Sequence, residues 1–324
     1  MSRGAKKLIV MIPAFNEEKT IGDVIREIPR KISGISNVRV LVIDDCSRDR
    51  TLEVAKRAGA EYFLTHKNNQ GLGVTFRDGI DRALELGADI IVNIDADGQF
   101  DPHDIETLIK PILSNGADMV SATRFLKPEM TNGIPWIKKW GNKQFTRLVS
   151  RVTGKKFTDT QCGFRVYSRE AALRLNLLGK FTYTQEVFID MINKGMKIKE
   201  VPVVVKYYKD RNSRVSGSLL RYGLKSLGII VRTTRDTQPL SFFGLPGAIT
   251  FGLGFIGGTL SFIYWLFYHV TTPIRTLFNV SIFLMIFGLS LSILALLADM
   301  FKTIKMNQDQ ILYMLRKREF GNGR

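Results

Sequence analysis

The sequence predicts an α/β domain, a mostly parallel sheet covered by helices, followed by an interfacial helix and a C-terminal hairpin of two membrane-spanning helices. Three observations predict it. Short runs that are apolar throughout alternate with segments of helical periodicity over the first half of the chain. Three of those runs end in polar clusters, PAFNEE, DDCSRD and DADGQ. Two stretches near the C-terminus carry no charge and match the ~20 residues a helix needs to cross a bilayer.

The elements follow in order. KLIVMIP (7–13) is a buried strand. Asn16, Glu17 and Glu18 open a helix whose Ile21, Val24, Ile25 and Ile28 share one face. VRVLVI (38–43) is a second strand, ended by Asp44 and Asp45. Helix is predicted over 51–58, a short strand over 61–65, and a loop around Gly71 and Gly73 leads to a helix over 74–86. A strand at 88–94, a helix at 105–113 and a strand at 118–122 complete the alternation. In such sheets ligands bind beyond the carboxyl ends of the strands, where the three polar clusters fall. After Arg124 comes a loop over 127–137, then helices over 140–152 and 186–194 and a strand over 197–207.

Charge divides the chain. Residues 237–274 and 276–298 contain no Asp, Glu, Lys or Arg, although mean hydropathy is only +0.01. Spans at 242–270 and 276–298 are therefore expected. Arg211, Arg214, Arg221, Lys225, Arg232 and Arg235 precede the first span, and Lys302, Lys305, Arg316, Lys317 and Arg318 follow the second. Only Arg275 lies between them, so both ends of the hairpin, and with them both termini, are expected in the cytoplasm. The net charge of +17 then points to a lipid bilayer and its phosphates as partners, not to nucleic acid, for which no motif is present. In 217–236 Leu220, Leu224, Leu227 and Val231 form a stripe with Arg221, Lys225 and Arg232 off it. That suits a helix in the membrane interface, or one packed on the globular domain. The predicted organisation is a cytoplasmic domain at 1–216, an interfacial helix or linker at 217–240, the hairpin at 241–300 and a basic cytoplasmic tail at 301–324. The tail reads as a further interfacial helix or as a contact in a homo-oligomer. The N-terminus lacks a cleavable signal pattern, and the two cysteines, Cys46 and Cys162, fit no zinc spacing and are expected to stay reduced.

The candidate chemistry sits in NIDADGQFDP, 93–102. Asp95 and Asp97, two residues apart in an extended segment, project to one side. With Gln99 they offer hard oxygen ligands that suit Mg2+ or Mn2+. Asp101 and Pro102 instead start the next helix, as N-cap and first helical residue.

VMIPAFNEEKTI, VIDDCSRDRT, NNQGLG and NIDADGQFDP, in this order, resemble the family 2 glycosyltransferases of GT-A fold. TRF, WIKKWGN, DTQCGFRVYSRE and YTQEVFID resemble their polyprenyl-phosphate (dolichol-phosphate) branch. The resemblance covers about residues 7–216 and implies inverting, metal-dependent transfer of one sugar from a nucleotide-sugar to a polyprenyl phosphate. It implies that Pro13, Phe15, Glu17 and Asp45 hold the nucleoside, that Asp95 and Ala96 contact the donor, and that Asp97 and Gln99 hold the metal on its diphosphate. Arg124, Lys138, Arg211 and Arg214 would face donor and acceptor phosphates, and Lys138 stands where relatives often have Arg. Asp159 would orient sugar or acceptor, or act as a weak base, although a phosphate nucleophile is already anionic at neutral pH. Two other readings stay open: a family 2 transferase acting on a hydroxyl of another lipid-linked acceptor, and a non-catalytic membrane-bound nucleotide-sugar sensor.

Overall fold

The apolar runs form the strands of one seven-stranded sheet. A computed structural model describes residues 6–126, 134, 136–177, 183–205, 227–228, 231–232, 234–236, 238–270 and 272–321. The strands are β1 Lys6–Ala14, β2 Ile35–Asp44, β3 Tyr62–Thr65, β4 Ile90–Asn93, β5 Met119–Thr123, β6 Arg165–Ser168 and β7 Ile198–Pro202. Their order is β3-β2-β1-β4-β6-β5-β7, and all neighbours are parallel except β6, which runs antiparallel to both β4 and β5.

The helices of this part are α1 Ile21–Glu27, α2 Thr51–Arg57, α3 Leu72–Glu85, α4 Ile105–Leu113, α5 Trp136–Thr153, α6 Arg169–Arg174 and α7 Thr184–Asn193. They cover both faces of the sheet. Strand side chains alternate, so Leu8, Val10 and Ile12 join Ile21, Ile25, Leu108 and Ile112 in one apolar layer, while Ile9 and Met11 join Phe76, Ile80, Val149 and Phe188 in the other. A sheet buried on both faces explains strands that are apolar throughout.

Several bounds differ from expectation. The helix after β1 begins at Ile21, because residues 17–20 form a turn in which Thr20 and Ile21 donate to the Glu17 carbonyl. Helix α5 starts four residues before position 140. Strand β6 and helix α6 have no apolar run to announce them. β6 is four residues long and opens on an arginine, and α6 is started by the Ser168 side chain accepting from Ala171 N–H. The start of α4 is as read: Asp101 accepts from His103 N–H, and Pro102 opens a 3-10 turn that leads into the helix. Of the predicted interfacial helix over 217–236 only 227–228, 231–232 and 234–236 are described, and they are helical.

The chain divides into two compact units, Met1–Ile230 with Leu312–Arg324, and Val231–Ile311. In the second, a π-helical turn at Leu240–Gly244 leads into α8, Leu245–Tyr268, and α9 follows at Arg275–Gly321. Both helices are long and apolar enough to cross a membrane. Their mutual seam is built of small residues, Gly247, Gly254, Gly257 and Ser261 on α8, and Ser281, Gly288 and Ala295 at seven-residue spacing on α9. A Cβ at Gly254 would lie 2.7 Å from Met285 N and the Ser281 carbonyl oxygen, so backbones meet directly.

The region assigned to a separate tail from 301 is a continuation of α9, and its last residues belong to the first unit. Arg316 bonds the Leu175 carbonyl and pairs with Asp81 at 2.8 Å, Tyr313 Oη donates to Glu170, and Arg169 donates to the Phe320 carbonyl.

Candidate active site

Segments 14–18, 44–51, 93–101, 123–126 and 158–165 meet at one edge, because β1, β2, β4 and β5 end there and the antiparallel β6 begins there. The first two are stitched together. Asn16 N–H donates to Ser47 Oγ and Glu17 N–H to Thr51 Oγ1, while Arg48 N–H donates to Asn16 Oδ1. Asn16 and Cys46 hold positive φ, 54° and 67°, which turns both chains sharply off the sheet. Pro13 is buried in β1, and Phe15 and Glu17 are half-buried beyond it.

Asp45 follows β2 and faces the loop after β3. Its carboxylate accepts from Gln70 N–H at 2.8 Å and Gly71 N–H at 2.9 Å, and meets His66 Nδ1 at 2.7 Å. It therefore organises the 66–71 loop that starts α3. Ala96 is likewise buried, and its carbonyl lies 2.8 Å from Thr20 Oγ1, which packs it beneath the edge.

Asp95 and Asp97 follow β4. Asp97 Oδ1 accepts from Gln99 N–H at 3.0 Å, which closes the turn around Gly98, a residue at φ 70°. Burial, and then the Asp97 carboxylate, push Asp95 up to about 7 against the pull of Arg124 and Arg165. Burial also raises Asp97. Half-buried carboxylates that resist ionisation side by side fit a hard divalent cation, whose charge would relieve them. Among the described residues no three His, Cys, Asp or Glu side chains gather as a metal site. Two such carboxylates fit part of a hard-oxygen ligand set, the kind that Mg2+ or Mn2+ completes with water and substrate phosphate.

Arg124 follows β5. Its Nε donates to Asp159 Oδ2 at 2.7 Å and its Nη2 to Oδ1 at 3.1 Å. The Asp159 side chain is 0% exposed, and it also accepts from the Arg124 and Gln161 backbone N–H groups. A carboxylate so enclosed and bonded holds the arginine. Glu200 extends the frame by accepting from the Thr158 and Asp159 N–H groups. Of the other basic candidates, the Lys138 side chain, Arg211 and Arg214 lie outside the described residues. Both cysteines are free, and burial pushes the Cys162 thiol up to about 12.

The model of glycosyl transferase family 2 matches residues 9–175, just over half of the chain. The chain belongs to glycosyl transferase family 2. It is a glycosyltransferase, and its curated relatives include enzymes named for different sugars. It is 32% identical over 223 residues to UDP-N-acetylglucosamine–dolichyl-phosphate N-acetylglucosaminyltransferase of Methanococcus voltae, covering 63% of this chain and 87% of that one. It is 26% identical over 277 residues to dolichol-phosphate mannosyltransferase of Pyrococcus furiosus, covering 82% and 74%. Among solved structures, glucosyl-3-phosphoglycerate synthase from Mycobacterium tuberculosis with Mn2+, UDP and phosphoglyceric acid aligns with TM-score 0.55 and 20% identity. That alignment covers 72% of this chain and 80% of that one, and it shows the shared fold.

The glycosyltransferase edge also uses residues that sequence reasoning did not single out. Asn93, at the end of β4, is fully buried and donates to the Gly163 carbonyl at 2.8 Å and to Tyr183 Oη at 2.9 Å. Arg165 is fully buried and donates to the Thr160 and Thr184 carbonyls. The one available signal was polarity out of place: an asparagine closing an apolar strand, and an arginine between Phe164 and Val166.

Proposed function

We propose that this glycosyltransferase moves a single sugar from a nucleotide-sugar to a polyprenyl phosphate at the cytoplasmic membrane face, with inversion, to give a polyprenyl-phosphate sugar. The observation that carries it is the meeting at one sheet edge of an acidic pair, Asp95 and Asp97, with a rigidly held guanidinium, Arg124, within electrostatic reach of Asp95. Acid paired with acid suits a metal-bound diphosphate, and a fixed arginine suits a phosphate monoester. Two relatives whose names include dolichyl or dolichol phosphate, and two helices of membrane length, support the same acceptor.

In the reaction a lipid-phosphate oxygen bonds to the anomeric carbon from the side opposite the leaving group. The bond from that carbon to the diphosphate oxygen breaks, and its electron pair departs with the nucleoside diphosphate. The nucleophile is already anionic, so no proton is removed. The enzyme's work is therefore steering and charge neutralisation. Arg124, fixed by Asp159, receives the acceptor phosphate, and Lys138, Arg211 and Arg214 add positive charge around it. Asp95, Asp97 and Gln99 would hold Mg2+ or Mn2+, which when bound would supply charge neutralisation to the departing diphosphate. Phe15 offers a stacking face to the base, Glu17 lies beside it, and Pro13 and Asp45 act from beneath by shaping the two loops.

The test incubates membranes containing the protein with a polyprenyl phosphate and a panel of UDP- and GDP-sugars, and identifies the glycolipid by mass. Wild type is expected to form one polyprenyl-phosphate sugar. Asp97→Ala is expected to insert normally and form none. Full transfer by Asp97→Ala in the presence of a chelator overturns the metal assignment. Product only on a hydroxyl acceptor overturns the choice of polyprenyl phosphate.

A further inference from the structure

The Asp95 carboxylate is held in an unusual manner. Among the described residues no hydrogen bond reaches it. It lies instead against the backbone of Gly163: a Cβ at position 163 would fall 2.8 Å from Asp95 Oδ2, 3.1 Å from Oδ1 and 3.3 Å from Cγ. Gly163 has no positive φ, so its backbone conformation is open to any residue. What the position requires is the missing side chain.

The wall that carries Gly163 is fixed from behind. Asn93 Nδ2 donates to the Gly163 carbonyl and to Tyr183 Oη. That carbonyl also sets the amide's orientation, since a flipped Asn93 would turn oxygen against oxygen. Tyr183 is fully buried and stacks on Phe76 of α3 with ring centroids 3.8 Å apart. Arg165, two residues past Gly163, clamps the Thr160 and Thr184 carbonyls at 3.1 and 2.8 Å and lies 4.8 Å from the Phe188 ring. The segment is thus tied on both sides of Gly163. Burying an amide and a guanidinium is costly unless their bonds do something an apolar residue could not.

We propose that Gly163 and Asn93 are positioning residues for Asp95: the wall they form sets the carboxylate's direction by contact alone and leaves all its lone pairs for the bound cation and donor. This rests on the metal-dependent reading above. An ordinary metal-ligating carboxylate is oriented by hydrogen bonds that use part of its acceptor capacity. Here a backbone surface replaces them. A Cβ at position 163 displaces the Asp95 carboxylate from this direction.

The test uses the full chain in nanodiscs and measures binding of UDP and, separately, GDP by calorimetry, with Mn2+ and with EDTA. Wild type is expected to bind one nucleotide more tightly with Mn2+. Gly163→Ala is expected to lose about tenfold or more of that Mn2+-dependent gain, with binding in EDTA unchanged. Asn93→Ala adds no atom beside Asp95, and its expected loss falls in the same direction; it reports if Gly163→Ala does not fold. A gain that survives in both variants, or one lost only in step with metal-free binding, overturns the inference and leaves the metal reading standing. Wild type with no Mn2+-dependent gain for either nucleotide overturns the metal reading, and this inference with it.

Discussion

At the scale of single residues, Asp95 and Asp159 show how placement divides apparently similar acids. Asp95 is raised to about 7 by burial first and by Asp97 second. Its proton must leave before a cation binds, so Mn2+ affinity is expected to fall as pH drops through about 7, approaching tenfold per pH unit below it. In the metal-free protein the sign for stability is opposite. A carboxyl whose folded pKa is raised binds its proton more tightly folded than unfolded. Its contribution is therefore lost as pH rises from the ordinary carboxylate range through about 7. Thermal midpoints in EDTA should show that fall in wild type and a smaller one in Asp95→Asn. Asp159 is spent on Arg124. Asp159→Asn is expected to raise KM for the polyprenyl phosphate about tenfold while the shape of the pH–rate profile stays. Loss of a basic limb, with kcat down by about 10²–10⁴, would instead mark Asp159 as a general base.

At the scale of elements, six strands were legible: β1, β2 and β4 because they are apolar on both faces, and β3, β5 and β7 as the strands expected over 61–65, 118–122 and 197–207. β6 was not legible. Its Arg165 breaks the apolar pattern, and only the space between β4 and β5 makes those four residues a strand. In the membrane hairpin the lengths were legible but the seam was not, because glycines at 247, 254, 257 and 288 look like the scattered glycines beside them. A Cβ at Gly288 would stand 2.4 Å from Phe251 N, whereas one at Gly252 meets nothing within 4 Å. Gly288→Val is expected to destabilise the hairpin by about 2 kcal/mol or more, by overpacking against backbone that cannot rotate away. Gly252→Val should be near neutral. Thermal denaturation in detergent measures both.

At the scale of the whole molecule, α9 passes from the membrane-length unit to its last turns in the glycosyltransferase unit, Leu312–Arg324. There charges of the basic tail are engaged within the glycosyltransferase unit. Arg316 pairs with Asp81 of α3, whose carboxyl burial raises despite that pairing. Arg174 of α6 lies 4.3 Å from the Tyr313 ring. Removing Arg316 leaves Asp81 without its partner and the Leu175 carbonyl without its donor. Arg316→Ala is expected to cost the catalytic unit about 1–2 kcal/mol, read as a lowered thermal midpoint. Arg318→Ala, on the same turn, is the comparison for loss of charge alone.

The sequence by itself determined the alternation of strand and helix, the edge at which polar clusters collect, the acidic pair after β4, and two helices long enough for a bilayer. Each is a local property: periodicity, run length, or the residue type that ends a run. Tertiary structure decided the rest. Asn93 reaches Gly163 across 70 residues, and Arg124 reaches Asp159 across 35. Asp45 organises the loop after β3 because His66, Gln70 and Gly71 return to it. Such roles depend on which groups meet once the sheet closes, and no spacing along the chain encodes that meeting. A glycine chosen for the carboxylate it leaves room for looks, in sequence, like any other glycine.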